Sequence, residues 1–242
     1  MTWFLLLVLL AAIFSGATAS VVGFGIGSLM TPLLATRLGA GVAVAAVTIP
    51  HALATALRCW RLRQRIDWRV VRGFGLLSAI GGLLGALLYT RLGPSALTKV
   101  LGSLLLLTAV AQLSGWSRRW HPRGILVGVF GLTSGLFGGV AGNQGGMRAA
   151  ALMAFDLSPA AFVATATATG LMVDAARMPV YLWSTGGALV PHWLPTGIAT
   201  IGVLVGTLVG ERIVLGMPVA KFAQVVAWAI GVLGIWLLFG VA

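Results

Sequence analysis

Runs of about twenty apolar residues, separated only by short polar stretches, follow one another along this chain. Each is long enough to cross the roughly 30 Å hydrocarbon core of a bilayer, and no stretch between them is long enough for a soluble domain. Of the 242 residues 59% are hydrophobic and 8% charged, against about a quarter charged in soluble domains. The expectation is an all-α polytopic membrane protein in which the whole chain forms one integral membrane domain. Sixteen Lys and Arg against four Asp and Glu give a formal charge of +12, which in a soluble protein would raise nucleic-acid binding. Here most of that charge lies in short loops, where Lys and Arg fix orientation, so no nucleic-acid partner is expected. The single cysteine, Cys59, excludes an internal disulfide and reads as a packing residue.

The first twenty residues, "MTWFLLLVLLAAIFSGATAS", end an apolar run in small residues but lack a basic start. They are expected to stay in the mature chain, because the residues just past the apolar run reappear in a second copy. At an offset of 119, "SGATASVVGFGIGSLMTPLLA" (15–35) aligns with "SGLFGGVAGNQGGMRAAALMA" (134–154). The register pairs Gly16 with Gly135, Gly23 with Gly142, Gly27 with Gly146, Thr48 with Thr167 and Arg58 with Arg177. After a small shift "GGLLGALLYTRL" (81–92) pairs with "GVLVGTLVGERI" (202–213). The chain divides into a first repeat at 1–115, a linker at 116–123 and a second repeat at 124–242.

Charge sets the direction of the copies. "RCWRLRQRIDWRVVR" (58–72) carries six arginines and one acid, whereas the counterpart after Arg177, "MPVYLWSTGGALVPHW", carries no Lys, Arg, Asp or Glu. The positive-inside rule places the first in the cytoplasm and the second outside, which makes the repeats inverted and puts both termini outside. Each copy reads as two short segments around a glycine turn followed by three spans: 1–22, 24–38, 40–58, 73–90 and 97–114, then 124–141, 144–157, 159–177, 190–210 and 220–240. That is ten helical segments, or about eight full spans if the short pairs are re-entrant.

A glycine-rich turn followed by proline ("GFGIGSLMTP"), a span ending in an Arg-rich loop closed by "IDW", and a degenerate second copy resemble the TauE/SafE sulfite exporter family along nearly the whole chain. The resemblance implies a multi-pass carrier of the bacterial cell inner membrane for small sulfur-containing anions, sulfite or organosulfonates, working in the direction of export. Its partners would be that anion and membrane lipid; a homodimer is left open, and no cofactor is implied.

A backbone break in hydrocarbon is tolerated only where it is buried in protein or lines a cavity. A helix starting at such a break offers unpaired N–H groups and the positive end of its dipole to an anion. Gly25 and Gly27 in the first copy, and Gly145 and Gly146 in the second, are therefore candidate substrate-binding positions; close packing through small residues is the alternative. Asn143, Gln144 and Arg148 add side-chain donors that the first turn lacks. Arg148 can hold two oxygens of a sulfite or sulfonate at once, or snorkel to the membrane edge. Asp174 and Arg177, three residues apart, share a helix face. Either they neutralise each other, or Asp174 carries a proton during transport while Arg177 binds the anion. Arg58 merges into the cytoplasmic arginines and is the weaker candidate. His51, mid-span beside Pro50, is a core histidine or a proton carrier. Thr48, Thr165, Thr167 and Thr169 supply hydroxyls, which in helices more often bond back to their own backbone. No metal cluster, G-x-S-x-G elbow or phosphate loop occurs, so no enzyme activity is expected. A passive anion channel, or an uptake carrier for another oxyanion, is the competing function.

Overall fold

A computed structural model describes residues 2–23, 25–115, 124–142, 145–153, 155–214 and 219–239. The linker at 116–123 and two candidates of the second glycine turn, Asn143 and Gln144, lie outside the described residues. The described residues are mostly helical, with no strand among them. The helices are α1 (Thr2–Val22), α2 (Ile26–Leu38), α3 (Ala40–Leu62), α4 (Trp68–Tyr89), α5 (Pro94–Leu113), α6 (Ile125–Ala141), α7 (Gly145–Leu152), α8 (Pro159–Leu189), α9 (Trp193–Val214) and α10 (Val219–Phe239). Five helical stretches of the described chain are long and apolar enough to cross a membrane, and the outer face of α4 exposes Leu83, Leu84, Leu87 and Leu88. The chain is a multi-pass membrane protein.

Glycine makes both breaks. Gly23 and Gly25 adopt φ of 85° and 133°, and Gly142 ends α6 at φ 70°, conformations that a side chain disfavours. The two breaks sit in matching surroundings. A Cβ on Gly23 would stand 3.5 Å from the Val163 Cα, and one on Gly142 would stand 3.6 Å from Val44 Cγ1; both pairs keep the 119-residue offset. Beyond the second break α7 stops at Leu152, short of the expected 157, and Ser158 caps α8 by accepting from the Ala161 N–H at 3.3 Å.

The expected external loop at 178–193 is instead helix for most of its length: α8 runs 31 residues to Leu189, through Pro179, and only Val190–His192 turns before α9. With no charged side chain in that stretch, nothing opposes continued helix in an apolar setting, and Pro179 removes one hydrogen bond without ending it. Trp183 nevertheless is exposed.

Small residues set the closest contacts. α1 lies parallel to α9, with Leu9, Ile13 and Ala17 meeting Gly202, Gly206 and Gly210; α4 lies parallel to α6, with Ser78 and Gly82 meeting Gly135 and Gly139. A Cβ on Gly206 would stand 1.9 Å from the Ile13 carbonyl oxygen, and one on Gly135 2.0 Å from that of Ser78, so the backbones touch as in small-xxx-small packing. Helices that correspond by the offset run antiparallel. Asp67, just past α3, donates its N–H to Thr165 Oγ1 near the start of α8 at 3.0 Å. At the other end of the pair Tyr89 Oη bridges the Gly41 carbonyl and Thr185 Oγ1, each at 2.9 Å. α5 and α10 likewise cross antiparallel, Gly102 near Gly234 and Ala109 near Gly231.

Gly206→Ala is expected to lower stability by about 1–3 kcal/mol or to prevent folding, because its methyl has no room, whereas Gly187→Ala, with open space around it, is expected to be neutral; thermal melting in detergent separates them.

Candidate functional site

α3 and α8 carry polar stripes that face each other in the interior. On α3 the stripe is Thr48, His51, Thr55 and Arg58; on α8 it is Thr167, Gly170, Asp174, Arg177 and Tyr181. The steps of three and four residues keep each set on one helix face. Every member is buried, with Arg58 4% and Arg177 1% exposed. Asp174 joins the two helices. His51 Nδ1 lies 2.5 Å from its Oδ2, and Arg177 donates to its Oδ1 from Nε at 3.1 Å and Nη2 at 2.8 Å. Buried charge at this depth persists only when paired and hydrogen-bonded.

The remaining Arg177 nitrogen, Nη1, donates to the Gly138 carbonyl, and the Tyr181 hydroxyl donates to the Gly139 carbonyl. Both carbonyls belong to the last turn of α6, and Gly138 also accepts the Gly142 N–H at 2.9 Å. Tyr89 packs edge-on to Tyr181, ring centroids 5.0 Å apart. Asp174 and Arg177 do neutralise each other, and each Arg177 nitrogen already has a partner.

Arg148 enters from α7 and is 2% exposed. Its guanidinium rests on Gly170, where an added Cβ would stand 2.8 Å from Nη1, so only glycine leaves it this seat. No partner meets its Nε or Nη1 among the described residues. The guanidinium is enclosed by the protein and does not reach its surface. Arg58 is in the same condition. Nη2 donates to Thr55 Oγ1 at 3.3 Å, while Nε and Nη1 have no partner among the described residues. The two arginines, His51, Asp174 and Arg177 form one electrostatic group, with Arg58 in the field of Arg148 and Arg148 in that of Asp174.

The chemistry this allows is specific. Two buried guanidinia with unused donors, at a centre that carries three arginines and one carboxylate, suit an oxyanion. A scan against protein-family models matches residues 8–237 to the family described as sulfite exporter TauE/SafE. The chain belongs to that family. No curated protein and no solved structure matches it. TauE/SafE is a family of transporters, and in this TauE/SafE protein the oxyanion-suited centre is built chiefly from α3, α7 and α8.

Other expected positions lie at different distances from this centre. Gly25 and Gly27 are buried at the start of α2, where a Cβ on Gly25 would meet Thr18 at 3.2 Å. The α2 helix reaches the second break through Thr31, whose Oγ1 would lie 3.1 Å from a Cβ on Gly142. Gly145 and Gly146 open α7. Thr48 bonds back to the Val44 carbonyl at 2.9 Å, and Thr165 anchors the Asp67 turn. Thr167 and Thr169 keep buried hydroxyls without partners among the described residues. Sequence reasoning missed Thr55, Gly170 and Tyr181 and placed Arg58 with the surface arginines. The signal was available: His51, Thr55 and Arg58 fall at i, i+4 and i+7, whereas Arg61, Arg63 and Arg65 are exposed.

Asp174→Asn should cost about 3–5 kcal/mol, since it strips Arg177 of its buried counter-charge. Arg177→Gln added to it should cost much less than the sum of the two single changes, read as a double-mutant cycle of thermal unfolding in detergent.

Proposed function

We propose that this protein is a secondary carrier that exports small sulfur-containing anions, sulfite or an organosulfonate, across the bacterial inner membrane. The reading rests on one observation above the rest: Arg58 and Arg148 are buried with unused nitrogens at the centre of the helices. A buried guanidinium is costly without a partner, and an anion with several oxygens is the partner its planar fork fits. Arg177 holds Asp174 and the end of α6 in place and acts on the substrate through charge.

Residues 1–115 and 124–242 form two inverted copies that alternately expose the site to each side. Support comes from the antiparallel course of α3 with α8 and of α5 with α10, and from the matched seats of Gly23 and Gly142. The Arg-rich stretch 58–72 then faces the cytoplasm and the termini the periplasm. The short helices α2 and α7 add the positive ends of their dipoles, from Gly25 and Gly27 on one side and Asn143 to Gly146 on the other. His51 and Asp174, bonded across the α3–α8 interface, are the groups that would carry a proton if transport is coupled to one.

Purified protein in proteoliposomes should move sulfite or a sulfonate in a saturable way. Arg58→Gln and Arg148→Gln should each lower that flux by about ten- to a hundredfold, the worth of a charged hydrogen bond. Gly170→Ala should lower it too by displacing Arg148. Ohmic current in place of saturable flux, or full flux in both arginine variants, would sink the reading.

A further inference from the structure

The two halves place an arginine at matching positions, Arg58 and Arg177, but surround them differently. Three residues before Arg177 stands Asp174; three residues before Arg58 stands Thr55. Arg177 therefore meets a carboxylate at 2.8 Å, and Arg58 meets a hydroxyl at 3.3 Å. The difference extends to the broken helices. Arg177 donates to the Gly138 carbonyl at the end of α6. The Gly138 carbonyl takes that bond in addition to the Gly142 N–H at 2.9 Å; its match in α1, Ala19, likewise accepts the Gly23 N–H at 3.0 Å, but Nε and Nη1 of Arg58 stay without a partner among the described residues.

Arg148 meets no carboxylate either among the described residues. Asp174 cannot serve it directly, because Oδ1 takes both Arg177 bonds and Oδ2 faces His51. Among the described residues, three guanidinia against one carboxylate thus leave two positive charges uncompensated at a buried centre. Protonation of His51 would enlarge that excess. A ligand with two negative charges removes it, and a singly charged sulfonate leaves half of it in place. A zwitterion such as taurine brings an ammonium group to a centre whose one carboxylate is already engaged.

We infer that Thr55, standing where the second half carries an acid, leaves Arg58 uncompensated and so sets this site for doubly charged oxyanions over singly charged or zwitterionic sulfonates. This inference rests on the carrier reading above and narrows its substrate class. It also makes Thr55 a specificity-determining position, acting through Arg58 and not by touching the substrate.

The test is binding and flux in proteoliposomes for sulfate, thiosulfate and sulfoacetate, each with two negative charges, beside methanesulfonate with one and taurine with no net charge. The wild-type chain should prefer the doubly charged set over methanesulfonate by at least about tenfold, one charged contact's worth, and should ignore taurine. Thr55→Asp supplies the missing counter-charge and should bring that ratio to near one or invert it. Thr55→Asn, of the same shape as the Asp variant but neutral, should keep it. If all these anions bind but without a charge preference, or if the Asp and Asn variants behave alike, the inference falls while the carrier reading stands. If none of them, nor sulfite, binds or moves, the carrier reading fails and the inference with it. Should Thr55→Asp not fold, Arg58→Gln removes the same excess charge, and an unchanged preference there overturns the inference equally.

Discussion

A helix that stops inside a bilayer ends its hydrogen-bond ladder where no solvent can continue it, and the buried polar cluster of this protein is anchored at such an end. The last turn of α6 ends at Gly142; its Gly138 carbonyl accepts both the Gly142 N–H and Arg177, and its Gly139 carbonyl accepts from Tyr181. Arg177 can sit there only because Asp174 neutralises it, and Asp174 in turn reaches His51 on α3. One break in one helix thereby ties α6, α8 and α3 into a single polar unit. The chain of dependence runs from glycine conformation to carbonyl, from carbonyl to arginine, and from arginine to the carboxylate of the buried cluster.

Against that saturated unit, Arg58 and Arg148 stand out because each keeps two nitrogens without a partner among the described residues. Arg58 and Arg177 stand 119 residues apart on facing helices, and Thr55 where Arg177 has Asp174 separates their surroundings. One arginine is structural in its contacts and the other retains donors. Gly170 makes room for the Arg148 guanidinium on a helix whose counterpart, α3, has His51 at the same register. Arg177 thereby joins Asp174 to the end of α6, while Arg58 and Arg148 leave a positive centre open among the described residues.

Much of this was legible in the sequence. The apolar runs, the glycine breaks at 23–27 and 142–146 and the matched arginines needed only hydropathy and self-comparison, since bilayer thickness and the rarity of intramembrane charge act on the chain locally. Arg58 was misplaced because loop charge and buried charge look alike along a sequence; helix phase alone separates Arg58 from Arg61. The long α8 was missed for a related reason, since absence of charge marks an external loop and an uninterrupted helix equally well.

The sequence by itself determined that the chain is a helical membrane protein and that both glycine turns break helices, because each follows from the cost of moving polar groups into hydrocarbon. Only the tertiary structure decided which arginine is neutralised. That depends on Asp174 turning its two oxygens toward Arg177 and His51, on the Gly138 carbonyl facing α8, and on Gly170 lying under Arg148. Each of these contacts other than Asp174 with Arg177 joins residues from different helices, and their pairing is fixed by how closely the glycine-lined backbones approach, a distance that no spacing along the chain encodes.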